Sequence, residues 1–275
     1  MGGVGNQMFQ YALGRVMALS LNRKLVIETS MLKATKLDTG ITQRNFDLDI
    51  FNIDLEFFDL NIHVKKNEKV YSISELGFEH DPNLIELIKS INHSVILTGY
   101  WQSYKYLETF SNIIKTDFKI KSQLINHWEE LSKQILSTES VMLNVRRSDY
   151  LLKLDYHGVV TKRYLQKAIS LIKSKVLHPY FFIFWDDINW CKENIGLKSN
   201  IFFVDEKYYD EKYQFYLKLM TLCKHFILSN SSFAWWSAYL GAGTESIVIS
   251  PKEWFKVDIN TSDLTPASWI KLSMY

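Results

Sequence analysis

Beyond residue 138 the chain alternates short runs of bulky apolar residues with amphipathic segments, and this pattern limits its fold more than any other feature. Val141–Val145, Tyr180–Phe184, Ile201–Val204, Phe226–Leu228 and Ser246–Ile249 read as strands. Between them, Lys162–Val176 places Leu165, Ile169 and Ile172 on one helical face, and Glu211–Cys223 and Phe233–Leu240 also read as helices. Continuous apolar strands joined by helices call for a parallel sheet covered on both sides, hence an α/β fold.

The first half is less regular. A glycine turn, Gly2-Gly3-Val4-Gly5, leads into a helical pattern with Phe9, Leu13 and Val16 in phase. Leu25–Ile27 and Ser94–Gly99 read as strands, Ser103–Phe110 as a short helix and Gln123–Leu136 as a longer one, while residues 38–75 are mixed. The polar stretch Ser137-Thr138-Glu139-Ser140 sets an expected boundary, giving domains 1–138 and 139–275. With 275 residues, 47% of them apolar, the chain can bury a core in one large domain or two small ones. A net charge of +2 makes no demand for nucleic acid. Cys191 and Cys223 lie far apart and read as buried packing in a reducing compartment. No apolar run approaches the ~18 residues of a spanning helix. Met1 leads straight into the glycine turn, so the expected address is the cytoplasm.

In open parallel sheets ligands sit outside the carboxyl ends of the strands. Polar clusters fall at such ends here: Arg146-Arg147-Ser148-Asp149, Asp186-Asp187 and Asn230-Ser231-Ser232. Any one of them alone is an ordinary solvated surface or a helix cap. Together their chemistry is coherent. Guanidinium groups donate paired hydrogen bonds to phosphate oxygens and stay charged. A helix N-terminus with serine hydroxyls is a second anion cradle. Asp149 can hold an arginine in place, and Asp187 can accept from ribose hydroxyls or a base edge. The set describes a site for a diphosphate-bearing nucleotide. There is no Walker loop, and the opening turn lacks the third glycine of a dinucleotide fingerprint, which argues against an NTPase and a dehydrogenase.

Several other motifs have plainer readings. Asp47-Leu48-Asp49 spells a metal-binding DxD, but it sits between apolar residues and reads as structural. His157 and His225 have no ligand spacing. Trp235 and Trp236 follow a strand on a helix and read as core. No metal site is expected.

Gly2-Gly3-Val4-Gly5-Asn6-Gln7-Met8-Phe9-Gln10-Tyr11-Ala12 resembles the opening signature of the alpha-1,2-fucosyltransferases of glycosyltransferase family eleven. Val145-Arg146-Arg147-Ser148-Asp149-Tyr150 resembles their arginine motif. Leu219–His225 with Ser229–Trp236 resembles their third motif, and Phe184–Asp187 and Pro251–Phe255 also match, all in the family's order. The resemblance implies a GT-B-like architecture of two Rossmann-like domains facing a cleft, with GDP in the second and the acceptor against the first. It implies inverting transfer of L-fucose from GDP-beta-L-fucose to a glycan hydroxyl, O2 of a galactoside, without a metal. GDP-fucose is then a substrate, and no cofactor is needed. By the same resemblance Arg146 and Asn6 stand at the reacting centre, and Arg147, Asp149, Asn144, Asp187, Asn230, Ser231, Ser232, Gly3 and Gly5 line the donor. The partners it implies are a GDP-sugar and a glycan, with a lipid-linked surface polysaccharide and peripheral contact at the inner face of the membrane as family-level expectations. The alternatives are transfer of another GDP-6-deoxyhexose and a non-catalytic nucleotide- or sugar-binding protein.

This chain departs from the family pattern at Asn144, where most members have His, and at Ser148, where most have Gly. It also lacks the strand that usually precedes the glycine turn, so the first domain is expected to be short of its first strand.

Overall fold

A computed structural model describes residues 2–29, 45–58 and 69–275. The chain divides into two compact units, Met1–Lys121 with Asn260–Pro266, and Ser122–Ile259 with Ala267–Tyr275. Residue 138, the boundary expected from sequence, lies inside the second unit. Part of the mixed stretch 38–75 lies outside the described residues.

In unit 1, helix α1 (Val4–Leu21) buries Met8, Phe9, Tyr11, Ala12, Leu13 and Val16. It ends where Asn22 turns left-handed, at φ 50°, and returns its N–H to Ala18. Phe118 packs its ring, tilted near 60°, against Tyr11 at 5.4 Å and Phe51 at 4.9 Å, and the Tyr11 hydroxyl donates to Asp117, which also pairs with Arg15 at 3.0 Å. Short parallel pairs complete the unit: β1 (Ile27–Glu28) with β2 (Phe57–Phe58), and β3 (Val70–Ser74) with β4 (Ser94–Thr98). Helices α2 (Leu84–Ser90) and α3 (Ser111–Asp117) lie in the same unit. The return segment Asn260–Pro266 is tied in through Asp263, which accepts from the His80 N–H and pairs with Lys105 at 2.7 Å.

Unit 2 opens with α4 (Asn126–Leu136) and builds on a six-stranded sheet. Its strands are β5 (Glu139–Val145), β6 (Pro179–Trp185), β7 (Ile201–Val204), β8 (His225–Ile227), β9 (Val248–Pro251) and β10 (Ile270–Leu272). The order across the sheet is β10-β9-β8-β5-β6-β7, and every pairing is parallel. The chain starts at β5 in the middle, winds out through β6 and β7, crosses back to β8 and winds out the other way. The winding therefore reverses between β5 and β8, which opens a crevice at their carboxyl ends. Register fixes Val145 opposite Trp185 and Leu143 opposite Ile227.

Alternate strand residues point to opposite faces. Val141, Leu143, Phe181, Ile183 and Ile227 share a core with Leu165, Ala168, Ile169 and Ile172 of α6 (Lys162–Lys175). Met142, Phe182, Phe184 and Phe226, the alternate residues, are also fully buried. Helix α5 (Leu154–His157) is a single turn, α7 is Ile188–Asn194 and α8 is Gln214–Thr221. Helix α9 (Ser232–Gly241) is apolar nearly all round; Trp235 and Trp236 are fully buried in it, with rings 4.9 Å apart, as core residues.

Candidate active site

The polar clusters of unit 2 meet where the sheet's winding reverses. Arg146 leaves the end of β5, and its guanidinium pairs with Asp149 at 2.6 Å and with Asp186 at 3.3 Å. Burial pulls the Arg146 pKa down and the two carboxylates push it up, and the carboxylates win. The side chain keeps 34% of its surface in solvent, so a ligand can reach the cation.

Asp186 does more than pair with Arg146. Its carboxylate accepts the main-chain N–H of Arg147 at 2.8 Å, the N–H of Ser148 at 3.2 Å and the Ser148 hydroxyl at 2.7 Å. It thereby shapes the whole turn that carries the guanidinium. Sequence reasoning placed Asp186 in a cluster but chose only Asp187 as a contact. The signal that separates them is register, because β6 lies beside β5 and ends level with Val145.

Arg147 has other work. Only 13% of its side chain is exposed; it donates to the Val160 carbonyl, lies 3.5 Å from Asp187 and stacks 4.1 Å over the Trp190 ring. Asp187 also caps α7 by accepting from the Trp190 N–H. Asn144 is buried, donates to the Phe184 carbonyl and accepts from the Ser229 hydroxyl. Asn230 is buried too, and its amide donates to the carbonyls of His157 and Trp254. These four side chains brace the loops around Arg146.

The link to α9 runs through Tyr150. Its hydroxyl donates to the Asn230 carbonyl at 3.1 Å, and the Arg146 guanidinium sits 5.9 Å from its ring. Burial pushes the Tyr150 phenol up to about 12, so it remains a donor at neutral pH. Ser231 caps α9 with extended backbone and makes no side-chain cap bond; Ser232 begins the helix. The first turn of α9 thus offers a dipole end and serine hydroxyls, linked to the arginine motif through Tyr150.

In unit 1 the glycine turn opens α1. Gly3 is its cap, with φ −71° and ψ 177°, and a Cβ there would meet nothing within 4 Å. Gly5 is buried inside the helix. Asn6 accepts from the Gln102 amide at 2.7 Å. Gln7 holds the turn to the next segment, donating to Gly2 and Asn45 and accepting from the Asp47 N–H. Leu48 and Ile50 are buried on the short 3-10 turn that contains Asp49.

A broad open groove lies at the other, amino-terminal edge of the six-stranded sheet, lined by Glu139, His178 and His225. There Glu139 pairs with Lys224 at 2.6 Å, and His225 Nδ1 accepts from the Ile247 N–H. The polar clusters of the candidate site lie at the carboxyl edge instead.

Comparison with known proteins gives the family. An alpha-1,2-colitosyltransferase of Escherichia coli is 31% identical over 98% of this chain and 96% of its own length. An O-antigen biosynthesis glycosyltransferase of the same organism, WbnK, is 29% identical over 98% of both chains. A galactoside alpha-(1,2)-fucosyltransferase 2 of Rattus norvegicus is 26% identical over 88% of this chain and 66% of its own. The family model for glycosyl transferase family 11 matches residues 1–273. The chain is a glycosyltransferase and belongs to family 11.

Proposed function

We propose that this enzyme moves a 6-deoxyhexose from a GDP-sugar to a hydroxyl of an acceptor glycan with inversion, and that the donor is GDP-beta-L-fucose and the acceptor position O2 of a galactoside. The observation that carries the reading is the Arg146 guanidinium, oriented by two carboxylates at the point where the sheet's winding reverses. Breaking the bond from sugar to diphosphate builds negative charge on the leaving oxygens. A fixed cation and helix amides there bind the transition state better than the ground state, and so accelerate the step. Arg146 supplies the positive charge that a metal supplies elsewhere, which supports a metal-independent reaction. Arg147, Asn144 and Asn230 act by holding this cation and the start of α9 in place. Asp149 holds the guanidinium, Asp187 holds Arg147, and Ser231 and Ser232 face phosphate oxygens.

One relative favours a second donor. Colitose is fucose without the hydroxyl on C3, and the colitosyltransferase resembles this chain along its whole length. A site that hydrogen-bonds the C3 hydroxyl rejects a donor without it far more strongly than the reverse. The test is turnover of GDP-fucose and GDP-colitose with a panel of beta-galactosides in excess chelator. Transfer from either donor supports the reading and selects the sugar. Loss of turnover that manganese or magnesium restores overturns metal independence, and GDP binding without transfer from either donor overturns the reading itself.

A membrane-linked acceptor fits one surface feature. Leu151, Leu152, Leu154 and Tyr156 are exposed directly after the arginine motif, Leu152 at 85%. No helix among the described residues is long and apolar enough to cross a membrane, and the contact proposed here is a peripheral one. Vesicle co-sedimentation that Leu152→Ser leaves unchanged would count against it.

A further inference from the structure

A nucleoside diphosphate presents two chemistries to a protein, charged phosphates and a flat base. Arg146 and the start of α9 suit the first. A base is held by stacking on an aromatic ring, because every base has a π-face.

Three tyrosines of unit 2 gather where the chain passes from β7 into α8. The Tyr213 ring lies 5.3 Å from Tyr209 and 6.2 Å from Tyr216. The Tyr209 hydroxyl donates to the Trp185 carbonyl at 2.9 Å, and the Tyr216 hydroxyl accepts the Trp185 N–H at 3.0 Å. These two bonds fix the cluster at the carboxyl end of β6. Asp186, the next residue, pairs with Arg146 at 3.3 Å. Tyr216 also packs against Phe184 at 5.0 Å, and Phe184 stands opposite Asn144. Helix α8 therefore covers the side of β5 that carries Asn144, two residues before Arg146. Neighbouring strands lie about 4.8 Å apart, so a cluster at the end of β6 stands to one side of a cation at the end of β5. A nucleotide needs such an offset, because ribose separates its base from its phosphates.

Tyr213 is the member of the cluster that meets solvent. It is 46% exposed, whereas Tyr216 is buried. Its backbone is left-handed, with φ 56° and ψ 23°, directly before α8. Glycine takes that conformation freely, and a bulky side chain is strained in it. The turn itself is held by Asp210, whose carboxylate accepts the N–H groups of Lys212, Gln214 and Phe215. Strain of this kind gathers at ligand sites. A large ring is thus kept, half in solvent, where the backbone alone favours glycine.

We propose that Tyr213 is the platform on which the base of the donor nucleotide stacks, a purine laid on its exposed face while Arg146 meets the diphosphate. This assignment rests on the reading of the donor as a GDP-sugar.

The alternative is that the ring only packs on Tyr209 and Tyr216. Tyr213→Phe keeps the π-face, Tyr213→Leu keeps apolar bulk without it, and Tyr213→Gly removes the ring and relaxes the backbone. The experiment measures GDP affinity by calorimetry for wild type and the three variants, after circular dichroism shows each is folded, and steady-state kinetics with GDP-fucose and a beta-galactoside. Tyr213→Phe should bind GDP within about twofold of wild type, and Tyr213→Leu and Tyr213→Gly about tenfold more weakly. In those two variants KM for the donor should rise in parallel while kcat stays within about twofold, because the stack is equal in the ground and transition states. If Tyr213→Gly fails to fold, Tyr213→Leu carries the test. A folded Tyr213→Leu or Tyr213→Gly protein that binds GDP as wild type does, or a Tyr213→Phe protein as weak as Tyr213→Leu, overturns the proposal alone. A raised KM for the acceptor with unchanged GDP affinity puts a sugar ring on Tyr213 instead and also overturns it. Wild type that binds no GDP overturns the donor reading and this assignment with it. Wild type that binds GDP but transfers nothing overturns the transferase reading alone, and calorimetry still decides the stack.

Discussion

Arg146 and Arg147 are adjacent in sequence, and the fold divides their work. Arg146 is reachable and held by Asp149 and Asp186; Arg147 is buried against Trp190 and the Val160 carbonyl. Arg147→Ala should therefore lower stability, by about 3 kcal/mol as for breaking a buried charged pair, and urea denaturation measures it. Asp186→Asn keeps the shape but removes the charge that organises the turn. It should cost about 2 kcal/mol of stability and depress turnover, read from denaturation and steady-state kinetics on one preparation. Gly3→Ala meets open space at a permitted φ, so stability should stay within about 1 kcal/mol. A fall in activity without a change in melting would then show that the turn faces a ligand, and unchanged activity would remove Gly3 from the site. The arginine motif and the serines of α9 were legible in sequence because they follow strands. Asp186 was not, because its place in the turn depends on which strand lies beside which.

At the scale of elements, runs such as Phe181–Phe184 were readable because they are buried on both faces and so carry no polar interruption. β3 leaves Tyr71, Ser72 and Ser74 exposed and among the described residues pairs only with β4, and β10 is a three-residue edge strand with Lys271 in its middle, so neither stands out from a loop by composition. The helix expected over 103–110 is instead a 3-10 segment, Tyr104–Leu107, whose first N–H donates to Asp263. Packing between elements is tight at the end of α9. A Cβ on Gly241 would lie 2.3 Å from the Thr221 carbonyl oxygen and 2.9 Å from the Phe226 ring. Gly241→Ala should cost about 3 kcal/mol, the upper range for overpacking, because the obstacle is backbone. A melting temperature equal to wild type would contradict this packing.

For the whole molecule, the sequence predicted an α/β fold with a parallel sheet, and the six-stranded sheet has that character. It could not show that residues 260–266 return to the first unit, since that depends on distant partners such as Glu79, His80 and Lys105. Stability of the whole should depend on pH through its buried histidines. Burial lowers the pKa of His80, His157 and His225 below 6.5. The unfolded chain then binds more protons than the folded one just below pH 6.5, so their contribution is present above that pH and is lost as pH falls towards the folded-state values. His225→Gln should flatten part of that decline in thermal melts between about pH 7 and 5, and an unchanged slope would contradict it. The central claim, that Arg146 neutralises a departing diphosphate, is tested most directly by steady-state kinetics of Arg146→Lys with GDP-fucose and a beta-galactoside. The charge remains but the fork is lost, so a folded variant should lose about 3 kcal/mol of transition-state stabilisation, on the order of a hundredfold in kcat. Near-normal turnover in that variant would contradict the account.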